Sequence, residues 1–329
     1  MAIIMKSSSQ NQEKLQRYKY NTSMSKITKD DFTVVVPVLN EEEGIENVIK
    51  EIKKEGYHNI LVIDGYSTDN TVYIASTNKV EVILQHGIGK TGAIKTAIEN
   101  INTPYFIVMD GDCTYDPKDI KNFFDHIQKY DEIIGVRTFG RENIPFMNRF
   151  GNWVINFTFN ILLGTNLVDV CSGMYALKTD FANQLRLETN GFDVEVEVAA
   201  QASIEGKITQ VPISYHKRVG KQKLHSLRHG LQILSTIRKL GMLYNPVFLY
   251  SALTTLTMIP ALMILSWVVL DWLNGIWHGG LALFGVLLFI ISLFSLTINI
   301  ISTLLKRMEQ RIIKKLKTSF LNYDDPIDT

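Results

Sequence analysis

The sequence predicts an α/β fold: a mainly parallel sheet covered by helices, then interfacial amphipathic helices and a two-helix transmembrane hairpin. Over residues 32–136, short apolar runs alternate with stretches of helical spacing, which is typical of a parallel sheet buried on both faces. Residues 247–270 and 281–305 lack Asp, Glu, Lys and Arg, and each exceeds the roughly 20 apolar residues that cross a bilayer as a helix. The formal net charge of +1 argues against a nucleic-acid partner.

The elements of the sheet domain follow in chain order. Continuous apolar runs indicate strands at 32–38, 59–63, 80–85, 105–109 and 132–136. The segments between them indicate helices at 42–55, 71–77, 91–100 and 118–129. An apolar helix at 153–163, suited to a membrane surface, and a strand region at 206–216 complete the domain. Ligands of such sheets bind at the carboxyl ends of the strands, so we expect the site there.

Composition divides the chain into five predicted parts. Residues 1–30 are polar without an apolar period and predict a disordered arm. The α/β domain spans 31–224, and the mixed basic and apolar residues of 225–245 predict an amphipathic helix at a membrane interface. The hairpin spans 246–305, and a basic tail of residues 306–329 follows it.

The flanks of the two spans predict their orientation. Basic residues lie just before the first span and at 306–317 after the second, whereas the connecting loop 271–280 has no Lys or Arg. By the positive-inside rule, both termini and the α/β domain are cytoplasmic and the protein is a multi-pass protein of the cell membrane. The N-terminal residues have no apolar core like that of a signal peptide, and the two cysteines predict no disulfide framework. The spans are also a candidate surface for homo-oligomer formation.

Two carboxylates follow the fourth strand in the sequence Asp110-Gly111-Asp112. Side chains alternate along a strand, so both carboxylates point the same way where the strand ends. Hard oxygen ligands suit Mg²⁺ or Mn²⁺, with a diphosphate supplying the remaining ligands. A solvated acidic turn is the alternative for a single Asp-x-Asp.

The first two strands also end in polar and acidic residues, which belong to the same predicted edge of the sheet. They are Pro37, Leu39, Asn40 and Glu41 after the first strand, and Asp64, Ser67 and Asp69 after the second. Helix capping accounts for Asn40 or Asp69 alone. It does not account for three strands that all end in acid.

Together these segments resemble the signature of family 2 glycosyltransferases of the GT-A fold, a Rossmann-like fold, over roughly residues 32–240. The resemblance implies that the first two segments hold the base and ribose of a nucleotide-diphosphate sugar. It implies that the Asp-x-Asp binds metal and diphosphate. Four further segments resemble the polyprenyl-phosphate subgroup, which includes dolichyl-phosphate mannose and glucose synthases. They contain Gly89 and Lys90, then Arg137, then Ser172, and finally Arg218 with Lys223.

The implied reaction moves a hexose to dolichyl or another polyprenyl phosphate, with inversion at the anomeric carbon. The acceptor phosphate has a second pKa of about 6, so it needs positioning by cations more than it needs a base. Candidate acceptor-phosphate ligands are Arg137, Arg149, Ser172, Arg218 and Lys223, and the candidate catalytic residues are Asp112, Arg137 and Arg218. Binding of lipid headgroups is the alternative for Arg149, and interfacial anchoring is the alternative for Arg218 and Lys223.

The sequence departs from the subgroup at three positions and carries one misleading motif. Gly65 replaces the second Asp of Asp-Asp-Gly-Ser, Thr114 stands where a Gln often follows the Asp-x-Asp, and Gln222 replaces a Ser. The first and third changes make the identities of the sugar and the acceptor less certain but leave the diphosphate–metal site intact. The sequence around Lys90 imitates a P-loop but lacks its first glycine, because position 84 is Leu.

Other interpretations remain open at this point. A glycan-extending membrane synthase usually has a Gln-x-x-Arg-Trp motif, which the sequence lacks, and a non-catalytic sugar-nucleotide-binding scaffold is the third possibility. Alternating Glu195 and Glu197 predict a strand face, and contact with sugar hydroxyls is one of the roles left open for them. His225 and His229 are four residues apart, which fits a metal pair or, more simply, a wet helix face.

Overall fold

A computed structural model describes residues 27–187, 194–220, 239, 242 and 245–321. The chain divides into two compact units, Met1–Thr236 and Ile237–Thr329. Most of the predicted N-terminal arm, nearly all of the predicted interfacial helix with His225 and His229, and the end of the basic tail lie outside the described residues.

The first unit is built on a seven-stranded sheet with the order β3-β2-β1-β4-β6-β5-β7. The strands are β1 Phe32–Val38, β2 Ile60–Asp64, β3 Glu81–Leu84, β4 Tyr105–Val108, β5 Glu132–Phe139, β6 Tyr175–Lys178 and β7 Ile208–Ser214. Strand β6 is antiparallel to both β4 and β5, and the other pairs are parallel. The mainly parallel sheet is confirmed. The four-residue strand β6 is an addition that the sequence analysis did not predict.

Helices cover both faces of this sheet. They are α1 Ile45–Lys54, α2 Thr71–Thr77, α3 Gly89–Asn100, α4 Lys121–Ile127, α5 Phe146–Leu163, α6 Thr179–Ala182 and α7 Val194–Glu205. Helix α5 begins seven residues before the predicted start at 153. The predicted strand face at Glu195 and Glu197 is wrong, because both residues lie in helix α7.

Strand β1 shows why the sheet is buried on both sides. Val34 and Val36 pack in one apolar cluster with Ile49 of α1. Val35, between them, points to the opposite face and packs in a second cluster with Ile94 of α3. Alternate side chains of a strand thus enter two separate cores, which explains a continuous apolar run in place of an alternating one.

The strand order positions the site. From β1 the chain proceeds outward through β2 to β3, and then returns to β4 on the other side of β1. The order therefore reverses between β1 and β4, which are parallel neighbours. Open α/β sheets bind ligands in the crevice outside the carboxyl ends of strands at such a reversal. The polar segments after β1 and β4 flank this crevice.

The second unit contains two long apolar helices, α8 Pro246–Leu273 and α9 Gly279–Leu321. By length and composition, α8 and residues Gly279–Leu305 of α9 can cross a membrane, as predicted. They form a hairpin with polar contacts between its arms: Ser295 Oγ donates to the Tyr250 carbonyl at 3.1 Å, and Asn299 Nδ2 donates to Ser251 Oγ at 2.8 Å. Such contacts satisfy polar groups where no water is present.

Candidate active site

The loops after β1 and β2 are joined by hydrogen bonds between their polar residues. The Asn40 backbone N–H donates to Ser67 Oγ at 2.8 Å, and the Glu41 N–H donates to Thr71 Oγ1 at 2.8 Å. Asp64 is buried and accepts the Ser67 N–H at 3.0 Å. Residues predicted to bind the nucleotide therefore also hold these two loops together beside the crevice.

Three strand ends at this edge contain a residue other than glycine in the left-handed region. Asn40 follows β1 with φ 50°, Tyr66 follows β2 with φ 68°, and Cys113 follows β4 with φ 62°. Such conformations cost on the order of 1–3 kcal/mol each and persist where the surrounding structure enforces them, often at active sites. Their placement supports this edge as the functional one.

Asp110 is bridged to a buried glutamate by Lys90. The Lys90 ammonium lies 2.6 Å from Asp110 Oδ1 and 2.6 Å from Glu195 Oε1, with only 12% of the Lys90 side chain exposed. Burial alone would lower the pKa of Lys90, but Asp110 and Glu195 hold it well above its ordinary value, so the amine is charged. Lys90 thus belongs to the candidate metal site. Glu195 is the residue that sequence reasoning placed on the wrong element.

Asp112 has a second bridge of the same kind. Arg218 Nη1 lies 2.7 Å from Asp112 Oδ2, and Nη2 lies 2.6 Å from Glu41 Oε1. Thr114 donates its hydroxyl and its N–H to Asp112 Oδ1. Burial, followed by repulsion from Asp110, raises the pKa of Asp112, while Thr114 and Arg218 oppose that rise.

The two bridges leave an excess of negative charge suited to a divalent cation. Across both bridges, four carboxylates face two cations, so these six side chains carry two more negative than positive formal charges. No cluster of three or more His, Cys, Asp or Glu side chains that could hold a metal exists among the described residues. Asp110 and Asp112 would supply two carboxylate ligands, and an ion such as Mg²⁺ would take its other ligands from water or a bound diphosphate.

Arg137 is buried in an ion pair with Asp169. Its Nε donates to Asp169 Oδ2 at 2.7 Å and its Nη2 to Oδ1 at 2.6 Å. The guanidinium also lies 5.4 Å from the ring centroid of Tyr215. Ser172 is likewise buried, with its hydroxyl against the Met174 backbone. Arg137 and Ser172 were predicted to bind the acceptor phosphate. In the structure they are buried and hold the segment 169–174, whose Gly173 lies beside Asp110.

Gly173 shows how closely this segment approaches the metal site. A Cβ atom there would lie 2.6 Å from Asp110 Oδ2 and 3.0 Å from Lys90 Nζ. Only glycine leaves room for both groups. Gly111 is similarly constrained, since its Cβ would lie 2.7 Å from Val38 Cγ1.

Arg149 lines a narrow cavity with Arg137, Arg141 and Asn152. Its Nε atom is buried without a hydrogen-bond partner in the described part of the chain. The cavity has a volume of about 20 Å³, room for a water but not for a phosphate. Arg141 was missed by sequence reasoning, although it lies just beyond β5 and adds charge at the cavity.

Helix α5 exposes an apolar stripe on the surface of the first unit. Its members recur every three or four residues: Phe146, Phe150, Trp153, Phe157 and Ile161. The Trp153 ring stacks on those of Phe150 and Phe157, with centroids 6.1 and 5.6 Å apart. An exposed aromatic stripe of this kind marks a membrane-interface or partner-binding surface.

The remaining predicted residues are placed as follows. Pro37 lies within β1, Leu39 is exposed at its end, Gly89 opens α3 with φ 66°, and Asp69 accepts the Thr71 N–H at 3.0 Å. Glu197 is buried in α7. Lys223 lies outside the described residues.

Comparisons with known proteins agree on one family. The sequence profile described as Glycosyl transferase family 2 matches residues 33–186. Glycosyltransferase AglJ of Haloferax volcanii is 33% identical over 232 residues, which cover 68% of this chain and 77% of that protein. A dolichyl-phosphate hexose transferase of the same organism is 31% identical over 221 residues, which cover 66% of this chain and 96% of that protein.

A solved structure shares the fold. Glucosyl-3-phosphoglycerate synthase from Mycobacterium tuberculosis, in complex with Mn²⁺, UDP-glucose and phosphoglyceric acid, superposes with a TM-score of 0.53 at 19% identity. The match covers 64% of this chain and 79% of that one. At this identity the likeness establishes the architecture.

Proposed function

Because this chain belongs to glycosyl transferase family 2 and is a hexosyltransferase, we propose that it transfers a hexose from a nucleoside diphosphate sugar to a polyprenyl phosphate, with inversion, at the cytoplasmic face of a membrane. The observation that carries the proposal is that Asp64 ends β2 and that Asp110 and Asp112 follow β4, so all three lie at the carboxyl ends of strands that flank β1, beside the reversal of strand order. The similarity to a dolichyl-phosphate hexose transferase supports the acceptor class.

Asp110 and Asp112 would hold Mg²⁺ or Mn²⁺, which when bound supplies charge stabilisation for the departing diphosphate. The Asp112 carboxylate is paired with Arg218, so we expect this guanidinium to give up its contact when the ion is held. Asp110 keeps Lys90 at its other oxygen. The loops after β1 and β2 would bind the nucleoside, because they form the other wall of the crevice.

The acceptor phosphate would be bound by arginines. Once Arg218 leaves Asp112, its guanidinium is available for charge-assisted hydrogen bonds with a phosphate. Arg141 and Arg149 would bind the phosphate at the mouth of their cavity, which is too small to admit it. Arg137, paired with Asp169, would support this site from below. A dianionic phosphate attacks without losing a proton, so orientation is the main task of these residues.

The membrane places the acceptor within reach. A polyprenyl chain keeps its phosphate at the bilayer surface, where an enzyme that uses cytoplasmic sugar nucleotides must act. The exposed aromatic stripe of α5 suits insertion into that interface, and the α8–α9 hairpin suits anchoring in the bilayer. The basic residues that flank the hairpin support a cytoplasmic location for both termini.

A transfer assay tests this proposal. The full-length protein in detergent, with Mg²⁺ or Mn²⁺ and polyprenyl phosphate, would be given radiolabelled UDP- and GDP-hexoses, and label entering the organic phase would be counted. We expect transfer from one donor, lowered on the order of 10²–10³-fold by Asp112→Asn. Asp125→Asn, at an exposed position of α4, is the matched control and should transfer normally. Nucleotide binding without lipid product from any donor would contradict the proposal.

A further inference from the structure

The Lys90 bridge presents an electrostatic difficulty for the candidate metal site. An ammonium 2.6 Å from Asp110 neutralises much of the charge that would attract a divalent cation. Lys90 is also held from the other side by Glu195, at the same distance. With Glu195 charged, the three groups together carry one formal negative charge, whereas Asp110 and Lys90 alone would carry none.

Glu195 is well placed to act in this way. It lies in the first turn of α7, is buried, and reaches Lys90 in the first turn of α3. The Gly173 backbone lies close to both groups, since a Cβ atom there would lie 2.6 Å from Asp110 Oδ2 and 3.0 Å from Lys90 Nζ. The Asp110 side chain is nevertheless 31% exposed, so an ion can reach it. The Glu195 carboxylate is buried and pairs with Lys90, so it can act on Asp110 by sharing that ammonium.

From this geometry we infer that Glu195 is a positioning residue that shares the Lys90 ammonium, thereby keeping Asp110 negative enough to bind a divalent cation. The inference rests on the proposed metal-dependent function and deepens it. On this inference, the ion pair between Lys90 of α3 and Glu195 of α7 determines part of the metal affinity. Without the charge of Glu195, the Lys90 ammonium would pair with Asp110 alone, and the affinity for a divalent cation should fall.

The test measures Mn²⁺ binding directly, by electron paramagnetic resonance of the free ion, in the full-length protein without substrate. Glu195→Gln keeps the shape and one acceptor oxygen but loses the charge, so we expect Mn²⁺ affinity to fall on the order of tenfold. The double variant Lys90→Gln/Glu195→Gln removes the competing ammonium as well. Its affinity should recover most of the loss, a compensation that a merely structural role would not produce.

Glu132→Gln is the matched control. Glu132 is buried nearby, and burial, followed by Glu195, raises its pKa well above its ordinary range, so this exchange should change the local charge less than Glu195→Gln does. It should leave Mn²⁺ affinity unchanged. Wild-type affinity in Glu195→Gln, or no recovery in the double variant, would overturn the inference. Failure of the proposed function shows separately, as a wild-type protein that gives no lipid product, whatever the Mn²⁺ titrations show.

Discussion

The two ion bridges of the candidate site have the same composition but different surroundings. Lys90 and Arg218 each join one aspartate of the Asp-x-Asp to one glutamate. The Lys90 side chain is 12% exposed and joins α3 to α7, whereas the Arg218 side chain is 27% exposed and comes from the segment after β7. The comparison suggests that the Lys90 bridge is a permanent part of the fold and the Arg218 bridge an exchangeable contact.

The largest expected effect is on the Lys90 side. Lys90→Met leaves the buried Glu195 carboxylate and the partly exposed Asp110 carboxylate without their cation, which should cost about 3 kcal/mol of unfolding free energy. Thermal unfolding in detergent measures this. The matched control is Lys50→Met, which removes the exposed ion pair with Glu46 and should cost less than about 1 kcal/mol. Equal losses in both variants would show that the Lys90 bridge is not structural.

Arg218→Ala should separate stability from activity. Arg218 is the more exposed of the two cations and Asp112 keeps its hydrogen bonds from Thr114, so the unfolding free energy should fall by less than in Lys90→Met. Transfer to polyprenyl phosphate should fall on the order of 100-fold, because a charged phosphate ligand is lost. Destabilisation as large as that of Lys90→Met would remove the distinction between the bridges.

The burial of the groups around Lys90 predicts that the unfolding free energy depends on pH. Glu132 has a pKa raised well above its ordinary range by burial and by Glu195, so the folded protein keeps a proton that the unfolded chain releases above about pH 4.3. Stability should therefore fall as pH rises from that point towards the raised pKa, by up to about 1.4 kcal/mol per pH unit.

Glu132→Gln has no such proton to lose. Its unfolding temperature should change less than that of the wild type between about pH 5 and 8. Parallel profiles for the two proteins would indicate that Glu132 titrates normally, and that the surroundings of Lys90 are wetter than the structure indicates.

The sequence predicted the parts of the site that depend on single strands. β1 and α2 were predicted with their observed bounds, and β2 and β4 to within a residue at each end, since each strand is apolar throughout and ends in acid. β6 was missed because four residues carry too little pattern. Helix α7 was predicted as a strand because Val194-Glu195-Val196-Glu197-Val198 alternates between apolar and charged residues. In the structure these residues are helical, and all of them are buried.

Side-chain partners were the part that sequence reasoning did not reach. Arg137 and Ser172 were predicted from separate motifs to bind the acceptor phosphate, yet Arg137 pairs with Asp169, three residues before Ser172. Lys90 and Glu195 lie far apart in the chain, and only the packing of α3 near α7 brings them together. Motifs indicate which residues matter, whereas the contacts decide which of them face a ligand.

The most direct test of the exchangeable bridge is a Mn²⁺ titration of Arg218→Ala against the wild type, read from the signal of the free ion. If Arg218 occupies the Asp112 carboxylate that the ion needs, its removal should tighten Mn²⁺ binding severalfold while transfer is lost. Weaker Mn²⁺ binding in Arg218→Ala would show that Arg218 helps to build the metal site, and it would contradict this account.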